Sequence, residues 1–297
     1  MEEKRFCIIC GKEKNKTEFN KEHIIPESLG NKSLYFYNLC KDCNSKLGTK
    51  VDKYLTDSFF GLIERNLNKI KSKKGIIINP FKEGRDEEGR IIRTNDNFEP
   101  YMENRISVTD KKIQVECSDF ETGKEIIRKH LLREGKSDDE IENILRKVSY
   151  KKEKFNPILK KEFKIELGKI ELAFLKIAYE YSYKLFGDDF LKDKQAMKIQ
   201  NILKNAKEGK YIKCDDIVCR IPNPIFSSLK KYEELISRNH IIFICNDYNR
   251  LILNIILFNN EALSYSVIIS YEPNIYNNID KIEIIPINGE KDKKVNN

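Results

Sequence analysis

Residues 22–44 read EHIIPESLGNKSLYFYNLCKDCN, and the organisation of the N-terminal segment turns on how they are understood. Glu22 and His23 stand side by side, and Pro26 and the turn-forming Leu29-Gly30-Asn31 follow them. The run Tyr35, Phe36, Tyr37 and Leu39 suits a short strand, so the turn before it predicts a hairpin. From Lys41 to Leu47 the chain reads as a helix with Gly48 as its C-cap. Val51, Leu55, Phe59, Leu62 and Ile63 then mark the buried face of a second helix. The expected local order is strand, loop, strand, helix. His23, one of three histidines in the chain, is open to three readings at this point: zinc ligand, catalytic base, or ordinary histidine ending a strand.

Two Cys-x-x-Cys pairs flank it, Cys7-Ile-Ile-Cys10 and Cys40-Lys-Asp-Cys43. Two such knuckles supply the four thiolates of a tetrahedral structural zinc, because each short turn aims both sulfurs at one ion. The 29 residues between Cys10 and Cys40 exceed the span of about 15–20 in simple four-cysteine ribbons. The excess has room for the hairpin that carries His23. Buried free cysteines would require both spacings to be coincidence. A zinc filled by four sulfurs is closed to chemistry, and His23 is then free for another role. Cys214, Cys219, His240 and Cys245 offer only looser spacings, in a stretch that reads as buried strand.

Phosphodiester hydrolysis needs a base for water, a cation to offset charge at phosphorus, and help for the departing oxygen. Glu22 offers a carboxylate beside His23, and Asn44 offers an amide oxygen from the first turn after Cys43. Oxygen ligands of this kind suit Mg²⁺ or Mn²⁺. Adjacent strand residues point to opposite faces, so Glu22 and His23 need not meet at one atom. Asn38 could accept a hydrogen bond from the imidazole and leave the other ring nitrogen free as base. Singly, each residue has a plainer reading: a histidine at a strand end, an asparagine capping a helix.

Taken in order, the C-x2-C pair, EHIIP, LGN, YNLC and C-x2-C-N resemble the zinc-stabilised HNH endonucleases of the ββα-metal, or His-Me finger, group, over about residues 5–66. The resemblance implies His23 as general base, Asn38 as the residue that orients it, and Glu22 and Asn44 as ligands of the catalytic metal. Members of that group more often carry Asp in place of Glu22 and His in place of Asn44. The implied cofactors are a structural Zn²⁺ on Cys7, Cys10, Cys40 and Cys43 and a catalytic Mg²⁺ or Mn²⁺. The implied activity is hydrolysis of DNA, duplex in the simplest reading; a non-catalytic zinc-knuckle nucleic-acid-binding protein is the alternative. Lys32, Lys41, Lys46 and Lys50 surround these positions and are the candidate phosphate contacts, each also readable as a solvated surface lysine.

The wider chain agrees with an α+β protein. Its 297 residues are 40% hydrophobic, enough for a sizeable core, and 55 basic against 47 acidic residues favour an anionic partner. No apolar run reaches the roughly 18 residues of a membrane span, and MEEKRFCIIC lacks a signal-peptide pattern, so a cytoplasmic location is expected. In that reducing setting paired cysteines point to metal rather than disulfides. The expected layout is an HNH module at 1–67, a basic linker at 68–75, a larger mixed α+β domain at 76–290 and a disordered tail at 291–297. In the larger domain GIIIN, RIIRT, RISVT and KIQVEC read as strands and residues 121–149 as two helices, Ser137 and Glu140 forming a capping box. Residues 168–187 read as a long amphipathic helix with Ile170, Phe174, Ile177 and Tyr181 on one face, and HIIFIC, RLILNIILF and LSYSVIIS as buried strands. No phosphate loop or nucleophile elbow appears there. Regulation, DNA positioning or homodimerisation are the roles open to that domain, and a defence or restriction role is analogy with other nucleases.

Overall fold

A computed structural model of the chain describes residues 3–87, 89–101, 103–109, 112–153, 157–222, 239–277 and 281–288. The chain forms two compact units: Met1–Ile78 with Lys164–Asn297, and Asn79–Phe163. The expected linker at 68–75 therefore lies inside the first unit, and the expected domain at 76–290 is divided between the two. The physical reason is core size. A 67-residue segment with two knuckles buries little apolar surface alone, and it shares one continuous core with residues 170–285. The tail at 291–297 lies outside the described residues.

The first unit opens with β1 (Lys4–Phe6) and β2 (Glu13–Asn15), paired antiparallel around the Cys7–Cys10 turn. The hairpin expected between Glu22 and Leu39 is present as β3 (Glu22–His23) and β4 (Tyr35–Phe36), in the register Glu22 to Phe36 and His23 to Tyr35. Helix α1 (Lys41–Leu47) follows. Gly48 is its C-cap as expected, but with helical φ of −55° and ψ of −40°, so a wide turn over 48–52 leads on into α2 (Lys53–Thr56). Burial of Val51 and Leu55 draws the chain onward where glycine alone suggested a stop. The expected second helix is split, because Ser58 starts α3 (Phe59–Leu67) with its hydroxyl accepting from the Gly61 N–H at 3.0 Å.

The second unit holds a three-stranded sheet of β5 (Glu83–Arg85), β6 (Ile91–Thr94) and β7 (Pro100–Tyr101), and a ladder of β8 (Arg105–Thr109) with β9 (Lys112–Glu116). Helices α4 (Phe120–Arg133) and α5 (Asp138–Leu145) close a small core around Ile127, Leu131, Ile141 and Leu145. The capping box of Ser137 and Glu140 is formed as expected. GIIIN is not a strand; Ile77 makes only an isolated bridge to Lys71.

The chain then returns to the first unit with α6 (Leu167–Phe186), α7 (Asp188–Lys192) and α8 (Lys194–Lys207). Strands β10 (Val218–Arg220), β11 (Asn239–Asp247), β12 (Arg250–Ile256), β13 (Ser264–Ser270) and β14 (Ile282–Pro286) form an antiparallel sheet in the order β10-β13-β12-β11-β14. Helix α6 is buried on every side from Leu172 to Ser182, not on one face as its periodicity suggested. It is caught between two partners: Phe174 packs on Tyr265 of β13 with ring centroids 4.4 Å apart, and the Tyr179 hydroxyl donates to the Ile8 carbonyl at 3.0 Å. No helix among the described residues is long and apolar enough to cross a membrane.

Candidate metal centre and nuclease site

The sulfurs of Cys7, Cys10, Cys40 and Cys43 all lie within 4.8 Å of one another. A tetrahedral zinc with Zn–S bonds of about 2.3 Å requires S···S separations of about 3.8 Å, so the four fit one ion. The first knuckle is the turn after β1, where the Gly11 N–H donates to the Cys7 carbonyl at 2.9 Å; the second begins α1, with Cys40 at its N-cap. The Cys7 thiol is pushed down to about 4, first by hydrogen bonding with the Cys43 thiol and also by backbone N–H groups, including that of Cys40, whose N–H donates to Cys7 Sγ at 3.4 Å. Burial raises the Cys10 thiol, and the bond with Cys7 raises that of Cys43, so in the metal-free pocket the thiolate, the form that binds metal, settles on Cys7. Helices α6 and α8 brace it: Tyr179 and the Gln200 amide both donate to the Ile8 carbonyl, at 3.0 and 2.6 Å. Among the described residues no other group of three or more Cys, His, Asp or Glu converges in this way. His240 in particular is engaged through both ring nitrogens, with the Leu29 carbonyl at 2.9 Å and the Phe258 N–H at 3.3 Å.

The hairpin between the knuckles is held by Asn31, which is wholly buried. Its amide donates to the carbonyls of Ile25 and Leu34 at 2.7 and 2.8 Å, and its side-chain oxygen accepts from the N–H groups of Ser33 and Leu34. Gly30 beside it has φ +92°, and a Cβ there would sit 2.8 Å from Ile287, so the glycine serves both conformation and close approach. The Asn288 N–H donates to the Gly30 carbonyl at 2.8 Å, fastening the loop to the C-terminal strand region.

The two residues of β3 diverge as strand geometry requires. Glu22 is 5% exposed and faces inward. Its Oε1 lies 2.5 Å from Lys176 Nζ of α6, and the same ammonium is 2.9 Å from Asp52 Oδ2 and 3.5 Å from Glu180 Oε1. Burial raises the Glu22 carboxyl above the usual range, while Lys176 and the Asn44 side chain oppose that rise. Glu22 and Asn44 are thus brought together, and Asn44 also donates to the Asn20 side chain at 3.1 Å.

His23 is half-buried on the other face, its ring edge-on to Tyr35 with centroids 6.2 Å apart. Burial first, then the charge of Lys21, lowers its pKa below the ordinary histidine value, while Glu27 acts the other way. The imidazole is accordingly neutral at neutral pH, the form a base requires. Among the described residues no hydrogen bond links Asn38 to His23. The Asn38 carbonyl accepts from the Ile8 N–H at 3.0 Å, and its side chain reaches the Tyr183 hydroxyl.

Of the candidate phosphate contacts, Lys32, Lys41 and Lys50 are exposed. Lys46 is tied to Asp42 at 3.4 Å and to Glu208 at 3.2 Å. A second cationic rim, not foreseen in the sequence, lies on the His23 side. Lys21 sits 3.9 Å above the Tyr35 ring, Lys184 donates to the Tyr35 carbonyl at 3.0 Å, and Arg5 donates to the Tyr37 carbonyl at 3.1 Å. The Tyr35–Tyr37 alternation was the available signal for one shared strand face; Arg5 and Lys184 are too far away in sequence to have been placed there. Asp52 and Lys176 were missed for the same reason.

Residues 7–60 match a family model described as HNH endonuclease, so the N-terminal segment carries an HNH domain beside its four-cysteine cluster. The match spans less than a fifth of the chain. No curated protein and no solved structure matches this chain.

Proposed function

We propose, with that HNH domain as the premise, that the protein is a metal-dependent endonuclease that hydrolyses DNA phosphodiester bonds. His23 is the general base, Glu22 and Asn44 hold one Mg²⁺ or Mn²⁺, and the four cysteines hold a structural Zn²⁺. The observation that carries the reading is the pairing of opposed faces on β3: a neutral imidazole outward and a carboxylate inward beside Asn44, on a hairpin fixed between two knuckles. A hard divalent ion, when bound, supplies positive charge to the phosphoryl oxygens and the departing 3′ oxygen. His23 takes a proton from water, the resulting hydroxide attacks phosphorus, and the bond to the 3′ oxygen breaks. For Asn38 to orient His23, its amide has to leave Tyr183.

The test is plasmid cleavage by purified protein in Mg²⁺ or Mn²⁺, alongside His23→Ala. Loss of a general base costs about 10²–10⁴-fold in rate. Cleavage unchanged in His23→Ala overturns the assignment. The second reading, a zinc-knuckle protein that binds nucleic acid without cutting it, is favoured by one observation: Glu22 already has a cation in Lys176. It predicts salt-sensitive binding, no cleavage with any divalent ion, and indifference of binding to Glu22→Gln.

A further inference from the structure

Lys176 is the most unusual side chain in the first unit. It is a lysine with no exposed surface, in the middle of α6, and its ammonium meets carboxylates from three places in the sequence. Glu22 comes from β3, Asp52 from the wide turn after α1, and Glu180 from the next turn of α6 itself. A buried ion cluster is a poor means of gaining stability, because desolvation consumes most of its Coulombic attraction. An apolar side chain would fill the same space at no such cost. The placement of the cluster is therefore informative, and what it touches is Glu22, the residue before the imidazole of His23.

The contacts divide unevenly. Glu22 Oε1 receives the shortest bond, at 2.5 Å, and Asp52 Oδ2 the next, at 2.9 Å. Both Glu180 oxygens and Asp52 Oδ1 are buried with no hydrogen-bond partner among the described residues. The ammonium thus binds Glu22 closely through one oxygen, while the Asn44 side chain also bonds the Glu22 carboxylate. A carboxylate held through one oxygen by a fixed cation is oriented in the way that residues behind metal ligands commonly are.

We propose that Lys176 is a positioning residue for the nuclease site: it fixes the Glu22 carboxylate through Oε1 in the orientation from which Glu22 ligates the divalent ion. The proposal rests on the reading of Glu22 as a metal ligand. It adds that the HNH domain at 7–60 is incomplete without α6, whose Lys176 lies 154 residues along the chain from Glu22.

The experiment measures Mn²⁺ binding to the zinc-loaded full chain, by electron paramagnetic resonance of free Mn²⁺, with zinc content and thermal melting recorded for each variant. Lys176→Met is expected to weaken Mn²⁺ binding at least tenfold while zinc stays bound. Because Lys176→Met leaves buried carboxylates unbalanced, the double variant Lys176→Met with Glu180→Gln is measured beside it; it removes one charge of each sign and is expected to show the same loss. Glu180→Gln alone is expected to bind Mn²⁺ within about twofold of wild type, since Glu180 touches Lys176 and not the ligands. Wild-type Mn²⁺ affinity in a folded Lys176→Met or double variant overturns the proposal, leaving Lys176 a structural ion pair. Tighter binding overturns it too, because Lys176 would then be a competitor of the metal. If wild type binds no Mn²⁺ that Glu22→Gln abolishes, the metal-ligand reading itself fails, a result distinct from the others.

Discussion

His240 Nε2 lies 2.9 Å from the carbonyl oxygen of Leu29, so the buried β11 strand holds the hairpin loop next to Pro26 and Gly30 directly. Nδ1 accepts from the Phe258 N–H, which fixes the ring as the neutral tautomer that donates through Nε2. Burial pushes the His240 pKa down to about 4. An unfolded histidine titrates near 6.5, so between these values the unfolded chain binds the extra proton. The stabilisation is complete above about pH 6.5 and is lost as pH falls towards 4. At roughly 1.4 kcal/mol per unit the loss reaches at most about 3.5 kcal/mol. Urea denaturation at intervals from pH 7.5 to 4 should show this slope in wild type and a flatter one in His240→Gln. Equal slopes in the two proteins would remove His240 as the cause.

Zinc should be bound at one ion per chain and should be needed for the fold of the hairpin. Structural zinc contributes apparent binding free energies of roughly 10–16 kcal/mol in small knuckle peptides, and that energy is folding energy. Cys43→Ser, or treatment with a strong chelator, is expected to abolish zinc in atomic emission measurements and to release amide protection across residues 7–44. Full protection in a zinc-free sample would contradict the assignment. Because Ile8 is bonded to Tyr179 and Gln200, the loss should be felt as a lowered melting temperature of the whole first unit.

The rim formed by Tyr35, Tyr37, Lys21, Arg5 and Lys184 should contribute to nucleic-acid binding on the His23 side. Tyr37 is 45% exposed, which leaves its ring available to a base or sugar. Removal of a stacking aromatic costs about 1–3 kcal/mol. Replacing a phosphate-contacting lysine lowers the salt slope by about 1. Fluorescence anisotropy with labelled DNA in EDTA, across a salt series, separates the two effects in Tyr37→Ala and Lys21→Ala. Lys46→Ala should change binding little, since Lys46 is committed to Asp42 and Glu208. Binding indifferent to Tyr37 and Lys21 but lost with Lys46 would reverse this division.

The features legible in the sequence are those set by short spacing. The knuckles, the hairpin, α1 and the capping box of Ser137 and Glu140 each depend on residues within a few positions of one another, and each formed as expected. Gly48 caps α1 as expected, but it does not turn the chain away, because Val51 and Leu55 are buried just beyond it. Helix α6 misled in another way: a 3.6-residue period reveals one apolar face but not whether the polar face is buried too. Lys176 and Glu180 lie off the apolar face that the period marks, and both are wholly buried. The division into units escaped for a related reason, since nothing local distinguishes a chain that continues a domain from one that returns to an earlier one.

That return has a consequence for the order of synthesis. Glu22 is made early, and Lys176 follows it 154 residues later. At 5–20 residues per second the ribosome adds that length in roughly 8–30 s. For that interval the nascent hairpin carries Glu22 and Asp52 without the ammonium they meet in the finished chain, and without the helices that brace the first knuckle. The hairpin is thus completed only when α6 follows it, and a truncated product ending before α6 carries every residue of the HNH match but neither Lys176 nor the helices that brace the first knuckle.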